Sequence, residues 1–270
     1  MCLGKPIRED FMKRTFRVIL AVVAGFLFAV TLAVPAEAME FGARGFWWFP
    51  SLKANMRVDK SGIRGDDINL KDDLGLDDKS TYSVEAFAGT KNHHFSVMYT
   101  PLDYSASKTV SRSVTFNGQT YAANTAVDSS LKMKMFDAEY RYDLINLENI
   151  LAGFSIGILG KVKYLDGEAR LTSAVTGEQK QTFSVPIPMI GAGMHIGLIA
   201  NLLEARAKGA WIGYSGSYFY DASADISLTP FPFLDIHGGY RIMKLKIDNV
   251  SDVYGDMDFY GPFVGISIGF

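Results

Sequence analysis

The last eleven residues, Tyr260-Gly261-Pro262-Phe263-Val264-Gly265-Ile266-Ser267-Ile268-Gly269-Phe270, decide how the rest of the chain is read. Tyr260, Pro262, Val264, Ile266, Ile268 and Phe270 alternate with Gly261, Phe263, Gly265, Ser267 and Gly269. Successive side chains of a strand point to opposite faces, so this period of two predicts a strand with one greasy face and one small or polar face. Working backwards, Phe136, Ala138, Tyr140, Tyr142 and Leu144 alternate with Asp137, Glu139, Arg141 and Asp143, so there the second face is ionic.

The same pattern recurs at residues 41–49, 82–89, 94–99, 152–161, 190–198, 203–211, 221–228 and 235–242. It predicts an all-β fold of ten strands, with eight or twelve as alternatives. Short connections fall near Lys91-Asn92, residues 146–149, Asn201 and residues 230–234. Longer ones are expected over 59–80, 105–130, 165–182 and 247–257, with Asn117-Gly118 and Thr176-Gly177 as hairpin tips. Strands of about ten residues, joined by short turns at one end and long loops at the other, predict a closed antiparallel transmembrane barrel.

The first 38 residues read differently. Lys5, Arg8, Lys13, Arg14 and Arg17 precede an apolar or small run from Val18 to Val34, followed by Ala36-Glu37-Ala38. This predicts a cleavable signal peptide over 1–38, with the barrel domain over 39–270; an uncleaved anchor is the alternative. The one cysteine, Cys2, leaves with it, so no disulfide framework is expected. A net charge of −2 argues against nucleic-acid binding.

Alternation alone does not orient a sheet, because a soluble barrel carries the same period with the faces exchanged. The ionic face is also the glycine face, and aromatic residues such as Phe41, Trp47, Phe49, Tyr99, Tyr142, Trp211 and Tyr260 gather toward the ends of the greasy one. Both features predict lipid outside and charge inside. The expected lumen network is then Arg44, Glu85, Asp137, Glu139, Arg141, Asp143, Lys161, Glu204, Arg206, Lys208, Asp221, Asp225 and Arg241, with Asp235 beside them. Charges so near balance in a narrow barrel are expected to pair and to fill it. Lys132, Lys134, Lys244 and Lys246 are expected where strands rise toward acidic headgroups. Asp66-Asp67, Asp72-Asp73 and Asp77-Asp78, spaced by Leu70, Leu74 and Leu76, read as a solvated acidic loop, with a divalent-ion role as the lesser alternative.

The leader, the repeated zigzag and the terminal phenylalanine together resemble small Gram-negative outer-membrane β-barrel proteins, the OmpA-like and OmpW-like group. The resemblance implies residence in the bacterial outer membrane, both termini periplasmic, among lipid and lipopolysaccharide. It also implies that Tyr260, Ile266, Ile268 and Phe270 form the signal read by the barrel-assembly machinery. That group has eight strands, and the ten expected here depart from it. Asp235-Ile236-His237 resembles the Asp-x-His of omptin proteases, and His94-Phe95-Ser96 the His-x-Ser of lipid A deacylases. Both follow short turns, at the wrong end for those sites, so no catalytic, metal or cofactor residue is assigned. The expected role is structural or small-solute passage, with a narrow channel or apolar-ligand carrier second and an outer-membrane hydrolase third.

Overall fold

The computed structural model describes residues 39–147, 153–199, 202–250 and 252–270. The signal peptide read over 1–38, and Asn149, Ala152 and Asn201 of the expected turns and strands, lie outside these. The elements are β1 (Glu40–Trp48), β2 (Ser51–Val58), β3 (Ile68–Asn69), β4 (Thr81–Thr90), β5 (His93–Thr109), β6 (Val114–Phe116), β7 (Gln119–Tyr121), β8 (Ala126–Asn146), β9 (Phe154–Ser173), β10 (Gly177–Ile199), β11 (Leu203–Tyr214), β12 (Ser217–Phe231), β13 (Leu234–Val250) and β14 (Val253–Gly269). Among the described residues, no helix is long and apolar enough to cross a membrane.

Ten of the wall strands close a circuit. β1 pairs with β4, then β5, β8, β9, β10, β11, β12, β13 and β14 follow in order, and β14 returns to β1. Closure leaves no row of unpaired N–H and C=O groups facing hydrocarbon, where each would cost several kcal/mol. β1 and β2 form one wall strand bent at Phe49-Pro50, since both pair with β14, at Phe263–Gly269 and Val253–Tyr260 respectively. The bend is pinned by Trp48, whose Nε1 donates to the Gly261 carbonyl at 3.1 Å. At the opposite end, Phe41 and Phe270 exchange both backbone hydrogen bonds, at 3.0 and 2.8 Å, so the chain terminus fastens the closing seam.

Several strands are much longer than expected. β8 has 21 residues, β9 20 and β10 23, about twice what a tilted strand needs to cross a bilayer. The expected loops at 165–182 and 247–257 are therefore mostly strand, and 105–130 contributes the ends of β5 and β8 plus the β6–β7 hairpin. At that hairpin's tip Asn117 and Gly118 have φ of 50° and 79°, the left-handed pair that a two-residue turn of this hand requires.

The extra length has a different chemistry. Along β8 the inward residues are Leu131, Met133 and Met135, then Asp137 and Asp143; the outward ones are Lys132 and Lys134, then Phe136. Along β13 the inward order is Leu245, Met243, Arg241, His237, while Ile242, Tyr240 and Ile236 face out. Along these long strands the zigzag keeps its period but exchanges its faces partway. Below the exchange the outside is hydrocarbon, and above it the outside is water, so the apolar residues move inward. The expectation that charge fills the lumen is corrected accordingly: it holds in the turn-end half, whereas Leu52, Met56, Leu102, Tyr104, Leu131, Leu165, Phe219, Met257 and Phe259 build an apolar core in the loop-end half. Leu165 and Met257 fall in the expected loops 165–182 and 247–257, and the other seven lie just beyond the ends of the expected strands, where parity was not followed.

Aromatic rings mark the exchange. Trp47, Tyr82, Tyr99 and Phe136 form a continuous outward row with centroid separations of 6.3, 6.5 and 4.7 Å. At the turn end a second group includes Phe41, Phe270 and Phe233, at 5.9 and 5.4 Å. Between Lys134 and Ile145 on β8, eleven steps of about 3.3 Å tilted by about 40° give an apolar belt about 28 Å high. That matches a bilayer core.

Residues 59–80 cap the loop end rather than extending into solvent. Ile68, Leu70, Leu74 and Leu76 are buried in the core, while the aspartates between them hold the cap down. Asp66 accepts from Thr115 N at 2.7 Å, Asp78 from Leu52 N at 2.9 Å, and Asp73 from Asn69 N at 2.9 Å and Arg112 Nη2 at 2.6 Å. Lys71 reaches Asp77 at 2.8 Å. The acidic pairs are thus engaged by local donors, which corrects the picture of a purely solvated loop. Although partial burial opposes it, the Arg112 guanidinium holds the Asp73 carboxyl below its ordinary 3.8. A depressed folded-state value means the contact stabilises above the unfolded value and is lost as pH falls through the folded one. Protection of the amides of residues 66–78 from hydrogen exchange, taken relative to the intrinsic rate at each pH, is expected to fall as pH is lowered below about 4. Asp73→Asn should show that low protection already at neutral pH; equal protection in both proteins at all pH values would refute the role given to Asp73.

Candidate functional site: the lumen

From the turn end, the lumen begins as a cavity of about 660 Å³ whose lining includes Arg44, Phe46, His94, His195, Arg206 and His237. It exists because glycine and serine alternate with the large polar side chains of the inner wall: Gly265, Ser227 and Gly197 lie on the cross-strand rows that carry His237 and Glu204. Its sides carry local pairs. Arg206 reaches Asp225 Oδ2 through Nε and Nη2 at 3.0 and 2.7 Å. Arg141 Nε lies 2.9 Å from Asp143 Oδ1, and His94 Nε2 lies 2.9 Å from Asp143 Oδ2. His195 Nε2 lies 3.2 Å from Glu204.

Deeper, nine side chains join into one cluster. Arg44 meets Glu85 at 3.2 Å; Lys208 lies between Glu85 and Glu139 at 3.7 and 2.9 Å; Lys161 lies between Glu139 and Asp221 at 3.0 and 3.5 Å. Arg241 forks onto Asp221 at 3.0 and 2.8 Å. Lys163 closes the set, 2.6 and 2.7 Å from the Asp137 oxygens and 3.2 Å from Asp221. Every sequence-expected network residue lines this lumen or pairs within it, in two tiers: the connected cluster, and the separate pairs nearer the opening.

Lys163 was missing from the sequence reading, yet it is fully buried and joins the carboxylates of two strands. The signal is present, since Lys163 shares parity with Lys161, but it lies two residues past the end of the expected strand 152–161. Above it the ammonium faces the Phe219 ring at 5.6 Å, and the Arg241 guanidinium faces Trp48 at 5.1 Å. These rings open the apolar core. The cluster is thus sealed on one side by hydrocarbon and faces the cavity on the other.

In the two histidine motifs, the acid of one and the hydroxyl of the other hydrogen-bond to neighbouring strands and turns. Asp235 accepts from Thr229 Oγ1 at 2.6 Å and Ser267 Oγ at 2.9 Å, while His237 packs edge-on against Phe46 and Phe263 at 6.4 and 6.0 Å. Ser96 hydrogen-bonds to Glu85. Among the described residues, no group of three or more His, Cys, Asp and Glu is arranged to hold a metal. Tyr260, Ile266, Ile268 and Phe270 lie on the outward face of β14 or at its end.

No protein-family model matches the sequence, and no curated protein does. Among solved structures, the outer-membrane protease OmpT of Escherichia coli is similar with a TM-score of 0.53 and 10% identity, over 86% of this chain and 97% of that one. Ail, the attachment invasion locus protein of Yersinia pestis, gives a TM-score of 0.36 at 10% identity over 87% and 99% of the two chains. Neisserial surface protein A gives 0.34 at 14% identity over 87% and 100%. The closed circuit of ten antiparallel strands, with its lipid-facing belt, has the fold of the Gram-negative outer-membrane β-barrels.

Proposed function

We propose that this chain is a sealed, structural outer-membrane barrel whose short turns and both termini face the periplasm and whose capped end projects from the cell. The observation that carries this reading is the complete burial of Lys163 between Asp137 and Asp221, beneath the apolar core. A solute crossing the lumen would have to separate buried ion pairs and then pass through packed leucine, methionine and phenylalanine, each step costing several kcal/mol. On this reading the histidines line the wall and perform no catalysis. Lipid contacts the belt, and lipopolysaccharide meets the outward lysines Lys132, Lys134, Lys244 and Lys246. The barrel-assembly machinery reads the strand ending in Phe270.

Planar-bilayer recording tests the proposal. The purified barrel is expected to insert without steady conductance steps. Reproducible steps in the intact protein would favour the solute-passage reading, in which the cap opens.

A further inference from the structure

We propose that the loop-end part of β10 is a docking edge for an extended segment of another protein, which adds to the wall as an extra strand. The inference goes beyond the sealed-barrel reading; on the orientation given there, the partner comes from outside the cell.

The edge arises from unequal strand lengths. β9 and β10 pair without a break, from Phe154 with Ile196 up to Ser173 with Gly177, but β11 meets β10 no higher than Trp211 with Ile190. β11 and β12 turn back at Ser215 and Gly216, with φ of 49° and 83°, where Tyr214 pairs with Ser217. Among the described residues, no strand therefore pairs with the second edge of β10 over residues 177–189. Backbone groups along a strand point alternately to its two sides. Gly197 N donates to Gly153 O at 2.7 Å on the β9 side, so odd-numbered residues serve β9 and even-numbered ones the open edge. Glu178, Lys180, Thr182 and Ser184 thus offer N–H and C=O there, while Pro186 and Pro188 offer carbonyls alone. Both prolines sit on the parity where a missing N–H breaks no ladder bond. Asn117 Nδ2 reaches the Lys180 carbonyl at 3.2 Å and Gln181 Nε2 the Thr182 carbonyl at 3.5 Å, side-chain contacts that an incoming strand can displace.

The barrel itself shows what such an edge takes. On the edge of β2 away from β14 the chain adds its own short strand: β3 pairs Asn69 with Asn55 and Ile68 with Met56, and Leu70 N continues to Ala54 O at 2.9 Å. Ile68 and Leu70 are buried, and between them Asn69 bonds to the exposed Asn55 at 3.2 Å. Along β10, by contrast, Lys180, Thr182, Pro186 and Pro188 are exposed. A backbone edge selects an extended peptide, and the side chains beside it select the pattern. Val185 and Ile212 pack at the margin of the core, and Tyr214, on the same face of β11 as Ile212, is 84% exposed. The added strand would lay apolar or aromatic residues over these at alternate positions and turn polar ones outward beside Lys180 and Thr182. A second copy does not fit, because two barrels inserted the same way, with strands tilted by about 40°, bring those strands together at about 80°, too steep for a ladder.

The probe is a set of synthetic peptides of about eight residues that alternate threonine with valine, leucine or tyrosine, added to the full barrel in lipid nanodiscs. Binding is read by calorimetry and by amide hydrogen exchange. In the free barrel the amides of Lys180, Thr182 and Ser184 are expected to exchange fast and those of Gln179, Gln181 and Phe183 slowly; saturating peptide should protect the first set. The same peptides N-methylated at every residue should not bind. Thr182→Pro removes an edge donor and no bond to β9, and should weaken the peptide about tenfold, while Thr182→Val should leave affinity within about twofold. If the proline variant fails to fold, the exchange pattern and the N-methylated peptides carry the test on the unaltered protein. Absence of saturable binding, binding that survives N-methylation, unchanged affinity in folded Thr182→Pro, or edge amides already protected without peptide would each overturn the proposal. Bilayer conductance tests the sealed-barrel reading separately.

Discussion

Asp221→Ala is expected to destabilise the barrel by about 3–5 kcal/mol, the cost of removing one member of a buried ionic set and leaving its partners unpaired. Asp221 contacts Lys161, Lys163 and Arg241, so its loss leaves three cations sharing what remains of the carboxylates. Equilibrium unfolding in urea, followed by tryptophan fluorescence, measures this, because Trp48 stacks against Arg241. The paired change Lys163→Met with Asp137→Leu should cost far less, since it removes one cation and one anion together and extends the apolar core downward by a layer. Equal losses in both proteins would mean that packing, not charge, holds the layer.

Arginine at Ile158 is expected to cost about 2–4 kcal/mol, the range for a charged side chain on the lipid face near the bilayer midplane. Ile158 faces outward on β9, between Phe154 near the turn end and Tyr164 near the aromatic row. Arginine at Thr182, outward on β10 beside Glu168 and beyond the belt, should change stability by less than about 0.5 kcal/mol. Refolding into vesicles under increasing urea distinguishes the two. A similar cost at both positions would place hydrocarbon along the whole outer wall and contradict the exchange of faces.

That exchange is also where the sequence was hardest to read. In β14 the zigzag from Tyr260 to Phe270 was legible because glycine and serine on one face and isoleucine on the other leave no ambiguity. In β9 and β10, residues 165–182 looked like a loop, since Asp166, Glu168, Arg170, Glu178 and Lys180 crowd the segment. Those charges are the outward face of strands that have left the membrane; Glu168 meets Arg170 and Lys180 at 2.8 and 2.5 Å, while Leu165, Ala169 and Leu171 face the core. A reading that assigns one polarity to each face along the whole strand breaks down where the surrounding solvent changes. The cap was hidden for a related reason: its aspartates suggested solvent, whereas the leucines between them fill the barrel mouth.

The sequence by itself determined the closed barrel, the greasy outer belt and the identity of most lumen charges, because a period of two fixes which side chains share a face. It could not pair those charges, since partners such as Lys208 and Glu139 are 69 positions apart and meet only across a lumen whose width and strand stagger arise when the circuit closes. Tertiary structure alone decided that the cluster is sealed on one side by an apolar core and that its other side faces the cavity. Both depend on how side chains from opposite walls divide a space that no single strand defines.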